Sequence, residues 1–138
     1  MTPDLVGPQR QPGPEDPDPW SWLTAHHQGR LDYETGRGCR SVAVLYAVAD
    51  GQILFRLPDY NEIVHYAPGE QVTLEVDGTQ VVSDHPLTMN VTGTAALLES
   101  GQISVSCEDL FEESWPAEMS TRVIGLPLTT VQWVDPRV

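Results

Sequence analysis

Along the chain the spacing of apolar residues changes character twice. From Met1 to Pro19 almost nothing apolar follows Val6, and half of the twelve prolines fall in this stretch beside Gly, Gln and Asp. Such a segment cannot offset its ordering entropy by burial, so residues 1–19 are expected to be a disordered proline-rich arm unless a partner subunit holds them. From Trp20 to His27 the period is helical: Trp20 pairs with Leu23 and Trp22 with Ala25, three apart, behind the start signal Asp18-Pro19.

Beyond Gly29 the period becomes two, with turn signals at regular intervals, which predicts antiparallel strands. Gly29 to Tyr33 leads through Glu34–Gly38 into Arg40 to Ala49. Asp50-Gly51 then predicts a type I′ hairpin returning along Gln52 to Leu57, because that turn needs positive φ at both central residues. Asp59 to Tyr66 reads as a brief helix capped by Asp59 and ended by Pro68-Gly69. Gln71 to Val76 alternates, with Val72, Leu74 and Val76 on one side and Gln71, Thr73 and Glu75 on the other. Asp77-Gly78 is read as a second tight turn into Thr79 to Val82. Leu87 to Leu98 is a long strand expected to bend at Gly93, Cys107 to Glu113 reads as helical, and Arg122 to Trp133 closes the chain as a strand or strand pair. These elements predict one mainly β domain over residues 20–138, an antiparallel sheet closing into a sandwich or barrel, with two or three short helices.

Charge narrows the chemistry. Twenty Asp and Glu stand against seven Arg and no Lys, for a formal charge of -13. Without lysine there is no Schiff base and no P-loop amine. The arginines, at positions 10, 30, 37, 40, 56, 122 and 137, are dispersed and form no basic face for a run of phosphates, so no nucleic acid is expected. No stretch reaches the roughly 18 continuous apolar residues of a spanning helix, and the start lacks a signal-peptide layout, so neither a membrane nor secretion is expected, and the cytoplasm is the expected compartment. Arginine in place of lysine throughout fits a GC-rich bacterial genome.

The run Gly29-Arg30-Leu31, then a glycine-containing turn and an apolar strand, then Val48-Ala49-Asp50-Gly51-Gln52-Ile53-Leu54-Phe55-Arg56, resembles the pyridoxamine 5′-phosphate oxidase-like split-barrel proteins. Gln71 to Asp77 and Asn90-Val91-Thr92-Gly93-Thr94-Ala95 continue the likeness, which spans about residues 20 to 133. The resemblance implies a split β-barrel of antiparallel strands paired as a homodimer, with two flavin pockets along the subunit interface. It places Arg56 where the cofactor is commonly faced, and Asn61-Glu62 where a hydroxyl residue and a lysine usually hold the flavin phosphate. Charge is reversed there. Leu57 replaces a further hydroxyl residue, Ser41-Val42-Ala43 lacks a frequent proline, and Pro86-Leu87 stands where an aromatic residue is common. A phosphate dianion facing Glu62 would be repelled, so no cofactor is favoured, with flavin mononucleotide or deazaflavin F420 as the alternative.

Within that frame Glu62, His65 and Tyr66 are three and four apart on one helix and suit proton transfer, the ordinary alternative being a solvated helix face. Tyr60 and Asn61 adjoin them as ligand contacts. Thr88 and Asn90 lie on the other strand face from Met89 and Val91 and suit a barrel mouth or a solvated surface. Trp115 and Trp133 suit stacking on a flat ligand or packing in the core. His26-His27 and Asp84-His85-Pro86 lack any spacing of metal ligands, and none is expected. Cys107 beside Glu108 and Asp109 would have a raised thiol pKa, which disfavours a nucleophile. The expectation is a small-molecule enzyme, a cofactor-independent cyclase or isomerase of an apolar specialised metabolite. The alternatives are a flavin- or F420-dependent oxidoreductase and a non-catalytic ligand-binding module.

Overall fold

The computed structural model describes residues 9–10, 18–82, 85–99 and 119–134. In chain order these form β1 (Gln9–Arg10), α1 (Pro19–Ala25), β2 (Gln28–Thr35), β3 (Gly38–Leu45), β4 (Ala47–Ala49), β5 (Gln52–Pro58), α2 (Glu62–Tyr66), β6 (Gln71–Val82), β7 (His85–Thr94), β8 (Ala96–Leu98), β9 (Thr121–Pro127) and β10 (Thr130–Val134). Trp115, Cys107 and the helix expected over Cys107 to Glu113 lie outside the described residues, as does most of the proline-rich arm. One piece of that arm, β1, pairs antiparallel with β10, where composition predicted no order.

All strand pairings among the described residues are antiparallel. A six-stranded sheet has the order β1-β10-β7-β6-β2-β3, and a four-stranded sheet the order β4-β5-β9-β8. Leu31, Leu74 and Val91 of the large sheet, Ile53, Phe55, Ile124 and Leu126 of the small one, and Trp22, Leu23 and Ile63 of the helices share a single buried core. Each such side chain contributes roughly 1.5–3 kcal/mol by leaving water, which is what holds the two sheets face to face. This is the split β-barrel expected from the sequence. No described helix is long and apolar enough to cross a membrane.

The chain passes from one sheet to the other at Tyr46, through residues 59–70 around α2, at Ala95, and at Leu128–Thr129. Arg40 to Ala49 and Leu87 to Leu98, each expected as one strand, are therefore two apiece, and the corner in the latter is Ala95 rather than Gly93. Tyr46 leaves the ladder because its N–H bonds to the His27 carbonyl and its buried hydroxyl donates to the Leu23 carbonyl at 2.8 Å. Ala95 does so by exchanging bonds with Gly69 and Glu70. Apolar alternation runs on through these corners because both sheets need inward-facing residues, so periodicity cannot mark them.

Two local expectations need correction. Asp77-Gly78 is not a turn: β6 continues to Val82, with Asp77 opposite Thr88 and a register irregularity before Val81. The glycine serves close approach instead, since a Cβ at Gly78 would collide with the Trp22 indole, whose Nε1 donates to the Val76 carbonyl at 3.2 Å. The cap of α2 is Asn61, whose side-chain oxygen accepts from Ile63 N at 2.8 Å, because residues 58 to 61 first make a turn closed by Asn61 N to the Pro58 carbonyl. Asp50-Gly51 does form the predicted hairpin, with φ of 55° and 74°.

Candidate functional site

Tyr33 and Arg40 are cross-strand partners in the β2–β3 hairpin, and α2 lies against β2 so that Glu62, in its first turn, reaches both. Arg40 Nη1 sits 3.0 Å from Glu62 Oε2 and donates to Oε1 at 3.3 Å. The buried Tyr33 phenol also bonds to Glu62, and its pKa is raised by burial first and the Glu62 carboxylate second, with Arg40 pulling the other way. Tyr33 therefore holds its proton through the physiological range. Glu62 and Tyr66 line, with Thr35, Arg37, Cys39 and Arg40, a groove of about 460 Å³ at the hairpin tip. The Cys39 thiol there is pushed up by desolvation and then by Glu34, Asp32 and Glu75, which disfavours a thiolate nucleophile.

Of the residues singled out from sequence, the structure brings Glu62 and Tyr66 together. His65 lies on the exposed flank of α2, with its ring edge-on to Tyr66 at 4.7 Å, and does not line the groove. Tyr60 is 77% exposed and Asn61 is the helix cap. Arg56 stands on β5 in the small sheet and donates from Nε to Thr121 Oγ1 at 3.1 Å. Thr88 and Asn90 occupy the outer face of the large sheet, where Thr88 donates to Asp77 at 2.6 Å and Asn90 pairs in register with Glu75. Trp133 is fully buried, crossing Trp22 edge to face at 5.2 Å, which makes it a core residue. Among the described residues no three His, Cys, Asp or Glu side chains form a group that could hold a metal ion.

Sequence reasoning missed Tyr33 and Arg40, and it missed a second groove entirely. At the other end of the same hairpin, Gln28, Arg30, Ala43, Leu45, Glu75 and Asp77, with Ala25, His26 and His27 beside them, enclose about 520 Å³. Glu75 is pushed up to about 7, first by a hydrogen bond to Asp32, then by burial and by the Asp32 charge, with Arg30 opposing and Asp77 adding. The one sequence signal was the alternation that put Thr73 and Glu75 on the polar side of β6. Their partners Asp32 and Arg30 follow only from the β2–β6 register.

Comparison with known proteins finds no family model and no curated protein that matches this sequence. Solved structures do match. An FAD-binding protein from Mycobacterium smegmatis superposes with a TM-score of 0.70 at 18% identity, covering 84% of this chain and 90% of that one. A candidate pyridoxamine 5′-phosphate oxidase from Corynebacterium glutamicum gives 0.67 at 14% identity over 93% and 98% of the two chains. HutZ, a heme storage protein of Vibrio cholerae, gives 0.62 at 10% identity over 84% and 91%. The chain thus has the pyridoxamine 5′-phosphate oxidase-like split-barrel fold. Where the resemblance expects a lysine for a flavin phosphate, the chain has Glu62, a carboxylate paired to Arg40.

Proposed function

We propose that this protein is a small-molecule enzyme that works without a phosphate-anchored flavin, moving a proton on an uncharged, largely apolar substrate in a cyclisation or isomerisation. The observation that carries this reading is the Arg40–Glu62 ion pair in the groove at the hairpin tip, backed by the buried Tyr33 phenol. A phosphate dianion would have to displace Glu62 from Arg40 and then face it as a like charge. Glu62 is instead suited to accept a substrate proton. Arg40 keeps its carboxylate in place, Tyr33 holds a proton beside it, and the Tyr66 hydroxyl is a second donor at the groove wall. His65 then serves Tyr66 from outside the groove rather than touching substrate. In the same reading two chains pair, as the resemblance implies, and the choice of a specialised metabolite rests on analogy of fold.

The test is cofactor uptake. Purified protein is expected to be colourless, to release no flavin on denaturation, and to take up neither flavin mononucleotide nor deazaflavin, while Glu62→Lys acquires flavin mononucleotide binding by restoring the missing charge. Stoichiometric flavin in the unaltered protein overturns the proposal and favours an oxidoreductase, in keeping with the FAD- and heme-binding neighbours.

A further inference from the structure

The register of the large sheet sets Ala43, Arg30, Glu75, Asn90 and Gln132 in one row across its outer face, with Ser41, Asp32 and Thr73 in the next row. Over one end of these rows stand Ala25, His26 and His27, forming a wall held in three ways. The Tyr46 hydroxyl donates to the Leu23 carbonyl, Tyr46 N donates to the His27 carbonyl at 3.0 Å, and His26 Nδ1 donates to the Trp22 carbonyl at 2.6 Å. The second groove is therefore preformed, and its 520 Å³ falls within the range of small-molecule pockets.

Its chemistry is one-sided. Ala43 and Leu45, the latter 45% exposed, make an apolar strip on the floor. Beside the strip Glu75 and Asp77 line the groove, Asp32 is bonded to Glu75, and Arg30 is the single guanidinium among them. Two carboxyl groups in one hydrogen bond need a proton between them, which marks a place short of donors. The same shortage shows at Asn90, directly opposite Glu75 on this face: the residue is 8% exposed, and its buried Oδ1 has no hydrogen-bond partner. A buried acceptor left unpaired costs about 1–3 kcal/mol, so what the face lacks is donors and positive charge.

We propose that this groove binds an amphipathic organic cation, its ammonium or guanidinium group between Glu75 and Asp77 and its apolar body over Ala43 and Leu45. The site lies at the opposite end of the β2–β3 hairpin from the proposed proton-transfer groove and does not depend on that reading. Binding releases the proton shared by Asp32 and Glu75, so affinity rises with pH. The charged and titratable groups facing Glu75 are Arg30 and Asp32 from β2, Asp77 from β6, and His26 and His27 from the segment after α1. β3 presents Cys39, whose thiol the Glu75 charge also pushes up, with Ser41 and Ala43, and β7 presents Thr88 and Asn90. The Glu75 variant tests whether the pH response belongs to that carboxyl.

Calorimetric titration with phenethylammonium, its neutral analogue 2-phenylethanol and the anion 3-phenylpropionate provides the test. At pH 8 the ammonium is expected to bind about tenfold tighter than the alcohol, the worth of one partly screened ion pair, and the anion not at all. At pH 5.5 the ammonium weakens severalfold. Glu75→Gln removes most of the tenfold preference and flattens the pH response, Asp77→Asn weakens the ammonium while leaving the pH response, and Arg30→Gln strengthens binding. Absence of saturable ammonium binding at pH 8, equal or tighter binding of the alcohol or the anion, or an unchanged ammonium affinity in a folded Glu75→Gln variant overturns the assignment.

Discussion

The inward and outward faces of the β2–β3 hairpin handle charge in opposite ways. On the inward face, at the tip, unlike charges meet: Arg40 and Glu62 pair at 3.0 Å, with side chains 55% and 33% exposed. On the outward face, like groups are pressed together, with Asp32 bonded to Glu75 and the charge of Asp77 adding to the strain. Both arrangements come from the same two strands. Tyr33 and Arg40 belong to the inward side of the alternation, and Arg30 and Asp32 to the outward side. What differs is the neighbour: α2 brings a carboxylate to an arginine, whereas β6 brings one next to an aspartate. A satisfied pair repels a competing anion, and an unsatisfied one awaits a cation.

The largest expected effect comes from Trp22, whose indole covers Gly78 and anchors the wall of the second groove. Trp22→Ala should cost about 3–5 kcal/mol in urea denaturation and abolish cation binding, while the Arg40–Glu62 pair at the far end is untouched. Cation binding that survived the substitution would break the contrast between a preformed groove and an open face.

Glu75→Gln sharpens it. The carboxyl pKa is about 7 in the folded protein against the ordinary 4.5, so between those values the native state holds a proton that the unfolded chain has lost. Stability must then fall as pH rises from about 4.5 to 7 and stay low above it. The glutamine variant should be more stable than the parent by about 1–2 kcal/mol at pH 8, allowing for partial exposure, and equal to it at pH 4.5. Denaturation midpoints across that range check both sign and window. The smallest effect is at the tip: Arg40→Gln should cost under about 1 kcal/mol, and 1 M salt should erase the difference. A loss of several kcal/mol would mean that the pair is as critical to the fold as the core.

Much of the architecture was legible from residue pattern. Asp18-Pro19 starts α1 as its chemistry demands, with Asp18 Oδ2 accepting from Ser21 N at 3.0 Å. Asp50-Gly51 makes its hairpin because both residues adopt positive φ. Asp77-Gly78 carries an equally strong turn signal and was misread, because the glycine answers to an indole 56 positions earlier in the chain rather than to its own backbone. The candidate site divides along the same line. Glu62 and Tyr66 share a groove because helical spacing is local, whereas Arg40, Tyr33 and the Asp32–Glu75 contact depend on which strands lie side by side.

By itself, then, the sequence determined most of the elements, the alternation of their two faces, the acidic charge and the absence of lysine chemistry, since propensity, alternation and charge act over a few residues. Only the tertiary structure decided where the chain changes sheets, that Trp133 is core and Thr88 and Asn90 are outward, and which carboxylates meet which partners. Those outcomes turn on strand register, and a one-residue shift in register would exchange every inward for every outward side chain while leaving composition and local periodicity unchanged.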